Sequence, residues 1–253
     1  MHRTESHGTP LVLLSAFPFD GRMWDRVRTG LAGHAQVITP DPRGFGRTPL
    51  GDAGPDLDVL AADVLELLDS LGLRRAVLGG CSMGGYVAMA VLRAAPERVA
   101  GLVLIDTRST ADAAQARENR YAMAERAERD GVGWLAEEML PALLGPTTLE
   151  RRPDVVDAVR RLLAGLSPAA VAAAQRAMAL RPDAGAVLRA AEVPALVLHG
   201  EEDRLIGVDA ARSMAELLPQ AELVVLPTAG HLPPLEVPAE VTSAIVAWLD
   251  RLP

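Results

Sequence analysis

Short runs of consecutive apolar residues recur along the chain, and the longer segments between them place apolar residues three or four positions apart. The runs are rich in Val, Leu and Ile, and apolar residues within them do not alternate with polar ones. Continuous apolar runs of this length are typical of parallel strands that are covered on both faces. The predicted strands lie at 11–14, 36–39, 75–78, 102–105, 195–198 and 222–226.

The segments between these runs have the periodicity of amphipathic helices. In 57–71, apolar residues recur at spacings of three and four, and Gly72 follows as a helix stop signal. Similar patterns predict helices at 84–95, 208–218 and 237–249. Because strands and helices alternate along the chain, the sequence predicts a mostly parallel, doubly wound α/β sheet.

The stretch 109–189 departs from this alternation, because it contains no strand-like run. Its pattern predicts about four helices separated by Gly, Pro and Ser. An all-helical insertion between two strands would cover the C-terminal edge of the sheet, where open α/β sheets bind ligands. We therefore predict a core of residues 1–108 and 190–253 with a helical cap of residues 109–189.

One short motif, Gly80-Cys81-Ser82-Met83-Gly84, follows the third predicted strand and precedes a predicted helix. In a G-x-S-x-G nucleophile elbow, small flanking residues allow a tight turn that holds the central serine in a strained conformation with its hydroxyl exposed. The strand–turn–helix context fits such an elbow better than an ordinary glycine-rich turn. The motif predicts Ser82 as a catalytic nucleophile, and Cys81 as a small buried residue beside it.

The predicted nucleophile needs a base within hydrogen-bond reach, because a serine hydroxyl is unreactive at neutral pH. His231 lies in a loop after the last predicted strand and could reach back over the sheet edge, whereas His199 ends a strand and is interpreted as a satisfied buried histidine. An acid must then orient the base. Asp203 follows the penultimate strand, and Asp106 follows the strand before it at the same edge. On this reasoning both aspartates remain candidates for the acid that orients His231, and Asp203 is favoured.

Motifs spread over nearly the whole chain outside 109–189 resemble those of the α/β-hydrolase superfamily. They are the strand and turn at 13–18, the Asp-x-Arg-Gly-x-Gly loop at 41–48, the Gly-x-x-Asp loop at 200–203, and Gly230-His231. The resemblance implies the α/β-hydrolase fold, in which the catalytic residues follow the chain order Ser, acid, His. Ser82, Asp203 and His231 satisfy this order.

Within the superfamily, the chain is most similar to 3-oxoadipate enol-lactonase and similar small carboxylesterases. The likeness lies in 21–25, 106–108, Trp134 and 139–141. It implies a hydrolase that cleaves a carboxylic ester or lactone through an acyl-enzyme. The alternatives are the same triad acting in C–C cleavage, amide hydrolysis, acyl transfer or perhydrolysis, and a non-catalytic ligand-binding protein on this fold.

The resemblance also implies an oxyanion hole made of two backbone amides, those of Phe17 and Met83. Ser15-Ala16 stands where the family has His-Gly just before the first of these amides, but backbone amides survive such side-chain changes. Apolar side chains near the motifs are candidates for an acyl pocket, with core packing as the other interpretation of each. The candidate substrate-binding residues are Trp24, Trp134, Met139, Leu205 and Leu232.

The composition limits the classes of binding partner that we expect for such a protein. The chain holds 25 Lys and Arg against 33 Asp and Glu, a formal net charge of −8, which disfavours nucleic acid and anionic membrane surfaces. No apolar run approaches the roughly 18 residues of a membrane helix. The first seven residues lack the apolar region of a signal peptide, so we expect a cytoplasmic protein.

The expected partner is a small-molecule ester or lactone, with homo-oligomerisation left open. We expect no cofactor. We also expect no metal site, because His, Cys, Asp and Glu nowhere show metal-ligand spacing.

Overall fold

The computed structural model describes residues 2–3, 9–54 and 56–252. Within them, seven strands form one sheet: β1 His2–Arg3, β2 Thr9–Leu14, β3 Ala35–Thr39, β4 Ala76–Cys81, β5 Val99–Ile105, β6 Ala195–Gly200 and β7 Ala221–Leu226. Their order in the sheet is β1-β3-β2-β4-β5-β6-β7. Strands β2 to β7 run parallel, and β1 pairs antiparallel with β3. The predicted α/β sheet is confirmed, while β1 has no counterpart among the predicted strands because two residues carry no periodic pattern.

The described residues also form twelve α-helices. They are α1 Asp25–Gly30, α2 Leu57–Ser70, α3 Met83–Ala94, α4 Ala114–Asp130, α5 Leu135–Leu143, α6 Pro146–Arg151, α7 Pro153–Leu163, α8 Pro168–Leu180, α9 Gly185–Arg189, α10 Val208–Leu217, α11 Pro233–Glu236 and α12 Pro238–Leu249. Helices α2, α3, α10 and α12 match the four predicted outside the insertion to within one residue at each end. No helix in the described ranges has both the length and the apolar composition required to cross a membrane.

The insertion between β5 and β6 contains α4 to α9, six helices where the sequence pattern predicts about four. The predicted separators include Pro146 and Pro153, and each lies in the first turn of a helix, where the missing amide of proline is harmless and its fixed φ is favourable. The count exceeds the prediction because α6 and α9, of 6 and 5 residues, are too short to show a helical period in the sequence. The division of the chain into core and cap stays a prediction.

The central strands β4, β5 and β6 are almost wholly buried because both faces of the sheet are covered there, whereas the edge strand β7 is partly exposed. In β2, Leu11 and Leu13 belong to the cluster that includes side chains of α1 and α12, while Val12 and Leu14 belong to the cluster of α2 and α3. Successive strand residues point to opposite faces, so each face takes every second residue. This two-sided burial removes the alternation that a half-exposed strand would show.

Five of the loops that follow strands carry the predicted catalytic and oxyanion residues. Phe17 follows β2, Ser82 follows β4, Asp106 follows β5, Asp203 follows β6 and His231 follows β7. Because these strands are parallel, their C-terminal ends lie at one edge of the sheet. The order of strands also reverses between β2 and β4, and such switch points form the crevices that bind ligands.

Candidate active site

The sharp turn after β4 holds Ser82 in a conformation that non-glycine residues rarely adopt. Its backbone angles are φ 51° and ψ −113°, and residues held in such regions store on the order of 1–3 kcal/mol of strain. The flanks of the turn leave no room for side chains. A Cβ on Gly80 would lie 2.2 Å from the backbone of Gly84, and a Cβ on Gly84 would lie 2.1 Å from the carbonyl oxygen of Leu14. The strand–turn–helix geometry expected for the motif is therefore present.

His231 and Asp203 are joined by a hydrogen bond of 2.7 Å between Nδ1 and Oδ2. The other carboxylate oxygen of Asp203 accepts the backbone amides of Leu205 at 2.8 Å and Ile206 at 3.1 Å. Burial raises the pKa of Asp203, but His231 and these amides outweigh burial and hold the pKa below its ordinary value. An ionised carboxylate on Nδ1 leaves Nε2 of the imidazole available to accept a proton.

Ser82 and His231 line the same cavity, which has a volume of about 250 Å³. Its apolar lining residues are Phe17, Ala116, Met123, Met139, Leu143, Met178, Leu205 and Ile206, and its other polar ones are Tyr86, Arg108, Asn119, Arg120 and Gln175. The structure thus brings the predicted nucleophile and the predicted base to one cavity. The predicted acid, Asp203, is hydrogen-bonded to His231 but is not itself among the residues that line the cavity.

Asp106, the other candidate acid, is fully buried and has different partners. Its Oδ1 accepts the amide of Gly200 at 2.9 Å. Burial and the neighbouring charge of Asp203 raise the pKa of Asp106 well above its ordinary value, which favours the neutral carboxyl. Since His231 is hydrogen-bonded to Asp203, the geometry favours Asp203 as the acid that orients the imidazole.

Asp106, His199 and Asp203 are the one group of three potential metal ligands found within the described ranges, with their ligand atoms within 4.8 Å of one another. Nδ1 of His199 lies 3.4 Å from Oδ1 of Asp106, and burial lowers the pKa of His199. Asp203 is engaged by His231 and two amides, while Asp106 favours its neutral form. These engagements do not favour a cation site, because a cation needs ionised carboxylates that are free to bind it.

The buried carboxylate of Glu236 stabilises the loop that carries His231, and the sequence analysis did not identify it. It accepts the backbone amides of Gly230 at 2.9 Å, Leu232 at 3.0 Å and Gly145 at 2.8 Å. Burial raises its pKa, although the three amides act in the opposite direction. The available signal was a glutamate five residues after the histidine, and spacing alone does not distinguish it from a solvated helix charge.

The two amides predicted for the oxyanion hole belong to Phe17, which lines the cavity, and Met83, the first residue of α3. The first amides of a helix have no acceptor within the helix, so the amide of Met83 is available to an anion. Ala16 is not among the described non-glycine residues with positive φ. The turn therefore does not require the conformational freedom of the glycine that the family has at this position.

Three of the five predicted substrate-binding residues do not line the cavity, and the structure corrects the prediction for them. Trp24 and Leu232 are fully buried in the cluster that includes α1 and α12. Trp134 is partly buried just before α5 and packs on the other cluster. Large apolar side chains have the same sequence signature in a core and in a pocket. Met139 and Leu205 do line the cavity.

Three polar residues of the cavity, Arg108, Arg120 and Gln175, were absent from the predicted pocket. Arg120 on α4 donates to the side-chain oxygen of Gln175 on α8 at 3.1 Å, across 55 positions of sequence. No local pattern predicts this pairing, because it depends on how the two helices pack. Arg108 lies in the stretch 106–108 that carries the family resemblance, but nothing in the sequence indicates that its side chain lines the cavity.

A larger cavity of about 580 Å³ lies between α2 and the loop that follows β3. Its lining includes Asp41, Arg43 and Leu67, and it contains none of Ser82, Asp203 and His231. A ligand bound there would not meet the reactive groups. Of these two cavities, the smaller one is therefore the one that contains the predicted nucleophile and base.

Comparison with known proteins identifies the fold family. Residues 9–238 match the family model described as "alpha/beta hydrolase fold". The chain is 35% identical, over 96% of its length, to the dihydrolipoyllysine-residue acetyltransferase component of the acetoin cleaving system of Pseudomonas putida. It spans only 64% of that protein, less than two thirds of its length.

Two solved structures are similar over almost the whole chain. A thermophilic esterase from Thermogutta terrifontis, with malate bound, has a TM-score of 0.96 at 42% identity, covering 99% of this chain and 92% of that one. The enol-lactonase from Burkholderia xenovorans has a TM-score of 0.89 at 27% identity, covering 97% of this chain and 92% of that one.

Proposed function

The chain belongs to the α/β-hydrolase family and is a hydrolase, and from this premise we propose that it cleaves a carboxylic ester or lactone through an acyl-enzyme on Ser82. The observation that carries the proposal is the hydrogen bond of 2.7 Å between His231 and Asp203, beside a cavity that His231 shares with Ser82. The likeness to an esterase and to an enol-lactonase supports this bond type.

In the proposed mechanism, Nε2 of His231 accepts the proton of the Ser82 hydroxyl as its oxygen attacks the substrate carbonyl. Asp203 keeps the proton of the neutral imidazole on Nδ1 and stabilises the imidazolium that forms. The amides of Phe17 and Met83 donate hydrogen bonds to the oxyanion. His231 then protonates the leaving oxygen, and water activated by the same base releases the acid product and restores Ser82.

We infer that the substrate is small and that the helical insertion selects it. A volume of about 250 Å³ is below the roughly 300–1,000 Å³ of pockets that hold drug-sized ligands. Much of the lining comes from the insertion, including Met123 on α4, Met139 on α5 and Met178 on α8. On this reasoning residues 109–189 act as a cap that sets the acyl preference, while the core supplies the reacting groups.

The proposal is tested with Ser82→Ala on a phenyl ester series and an enol-lactone. We expect a loss of about 10³-fold or more in kcat, because no other described hydroxyl lies in an elbow turn. Wild-type protein should also be labelled covalently at Ser82 by a serine-directed phosphonate. Ser70→Ala, an exposed serine on α2, is the matched control and should keep full activity and labelling. Near-wild-type turnover by Ser82→Ala would remove Ser82 from the mechanism.

A further inference from the structure

The cavity of about 580 Å³ beside α2 has no role in the proposed chemistry, and we call it the α2 cavity. Its inner wall consists of buried side chains, including those of Leu14, Val64 and Met83. Exposed residues, including Glu66 and Ser70, line its outer part. The α2 cavity therefore leads from the surface into the core. Its volume lies within the roughly 300–1,000 Å³ of cavities that hold small ligands.

One buried polar group in the lining of the α2 cavity has no partner. Ser15 lines the cavity and is 3% exposed, and its Oγ makes no hydrogen bond with any described residue. A hydroxyl that is removed from water without a hydrogen bond is unfavourable. A ligand that brings an oxygen or nitrogen atom to Ser15 would supply the missing bond. An apolar wall with a few polar groups is typical of small-molecule sites.

The charged groups of the lining disfavour anions. Asp41, Asp63 and Glu66 line the α2 cavity, and Arg43 is the one cation among the lining residues that the structure describes. Arg43 donates to Asp63 at 2.7 Å from Nε and at 2.5 Å from Nη2. Arg47 pairs with Asp41 from outside the lining, and the carboxylates still outnumber the arginines. Only the exposed Glu66 would attract a cation, so the buried part of the cavity suits an uncharged molecule.

The α2 cavity also adjoins the residues of the proposed oxyanion hole. Met83, whose amide is one of the two donors, lines the cavity. Ser15 lies two residues before Phe17, whose amide is the other donor. Ser82 and His231 are not among the lining residues. A ligand in the α2 cavity therefore contacts residues at both donors without competing for the space of the substrate.

We propose that the α2 cavity is a second binding site, that it takes an uncharged apolar molecule with one hydrogen-bonding group, and that its occupation raises turnover at Ser82. The apolar body packs against Leu14, Val64 and Met83, and the polar group bonds to the hydroxyl of Ser15. A filled cavity restricts the motion of the residues that carry the oxyanion donors, and preorganised donors stabilise an oxyanion better. The binding stands without the proposed function, whereas the effect on turnover rests on it.

The binding test titrates the protein into 6-methoxy-2-acetonaphthone, a fluorescent neutral ketone, and into 6-methoxy-2-naphthoate, its isosteric carboxylate. We expect saturable binding of the ketone to the wild type. The carboxylate should bind at least about tenfold more weakly, because it meets the surplus negative charge of the lining. Ser15→Ala should weaken ketone binding by roughly 2- to 10-fold, the contribution of one neutral hydrogen bond.

A second variant fills the α2 cavity. Leu67 is partly buried and lines it, so the indole ring of Leu67→Trp should occupy the space and weaken ketone binding by about tenfold or more. Leu205→Trp is the matched control, because it makes the same substitution in a residue that lines the Ser82 cavity and not the α2 cavity. Its affinity for the ketone should equal that of the wild type. Thermal unfolding checks that each variant is folded.

The effect on turnover is measured as kcat for a phenyl ester at saturating ester, with and without the ketone. Saturating ester removes any competition in the Ser82 cavity. We expect the ketone to raise the kcat of the wild type by about fivefold, the lower end of the usual coupling between two sites. In Leu67→Trp the ketone should leave kcat unchanged.

The outcomes separate the binding site, its effect and the proposed function. Absence of saturable ketone binding to the wild type, or a loss of binding in Leu205→Trp rather than in Leu67→Trp, would overturn the second site. Ketone binding with an unchanged or lowered kcat would overturn activation alone. Absence of ester hydrolysis, with the ketone still bound in a Leu67-dependent way, would overturn the proposed function and leave the binding site.

Discussion

Replacing Asp203 by asparagine exchanges one of its two carboxylate oxygens for an amide NH₂. The surrounding hydrogen bonds determine which of the two oxygen positions the NH₂ takes. One oxygen of Asp203 accepts the amides of Leu205 and Ile206, and the other accepts from His231. In Asp203→Asn the side-chain oxygen must stay with the two backbone donors. The NH₂ then faces Nδ1 of His231, which must accept a hydrogen bond. The imidazole proton moves to Nε2, where it blocks proton transfer from Ser82.

The size of the effect follows from what the opposite orientation would require. Turning the asparagine so that its oxygen again faces His231 leaves the amides of Leu205 and Ile206 without an acceptor. Each such loss costs about 1–3 kcal/mol, so the productive orientation lies about 2–6 kcal/mol above the unproductive one. With about 1.36 kcal/mol per factor of ten, the middle of this range corresponds to about 10³-fold. We expect Asp203→Asn to lower kcat by about 10³- to 10⁴-fold.

The assay measures kcat for one phenyl ester at one pH, with thermal unfolding as the check on folding. Asp106→Asn is the matched control, because it makes the same substitution in a buried aspartate that contacts Asp203 but is not hydrogen-bonded to His231. It should lower kcat by roughly tenfold or less. If Asp203→Asn stays within tenfold of wild type, or if Asp106→Asn is the more damaging change, the assignment of the acid is wrong.

Three further predictions concern stability. Gly84→Ala should destabilise the fold by about 2–4 kcal/mol in urea unfolding, since its Cβ would meet the Leu14 carbonyl oxygen at 2.1 Å, whereas Gly133→Ala, with nothing within 4 Å, should change little. The buried carboxylate of Asp112 pairs with Arg120 at 2.5 Å and with Arg181 at 2.7 Å. Asp112→Ala leaves both arginines without this counter-charge and should lower the unfolding free energy by about 3–5 kcal/mol, and a loss under about 1 kcal/mol would contradict this reasoning. The raised pKa of Asp106 means that the folded state keeps a proton that the unfolded state releases as pH rises above the ordinary carboxyl range. Wild-type stability therefore falls as pH rises through this window, and Asp106→Asn should be more stable than wild type at pH 7, with the gap closing towards pH 4. A gap that does not depend on pH would refute this titration.

Sequence reasoning located the residues whose positions follow from the backbone. Gly80 and Gly84 are required because a Cβ at either position would collide with the backbone. The loops after parallel strands meet at one edge, so the loop positions predict that Ser82, His231 and the two candidate acids, Asp203 and Asp106, come together. These features depend on the strand–helix alternation, which the hydrophobic pattern makes plain.

The same reasoning could not locate residues whose positions depend on how the inserted helices pack. A shift of one position turns a helical side chain by about 100°, so the direction in which Arg120 points is fixed only when α4 packs on α8. The apolar pocket candidates failed for a related reason. Trp24 and Leu232 serve the core, and no local pattern separates a buried side chain that contacts other side chains from one that would contact a substrate.

The bridge made by Glu236 matters for any attempt to exchange the inserted helices between relatives. Its carboxylate joins Gly145, the residue before α6, to both sides of His231. The amide of His231 also donates to the carbonyl of Leu143 at 3.1 Å, and Glu202 accepts from the amide of Thr147 at 2.9 Å. Residues 143–147 are thus hydrogen-bonded to the segments that carry Glu202, His231 and Glu236. A chimaera should therefore retain this pentapeptide and place its crossover points on either side of it.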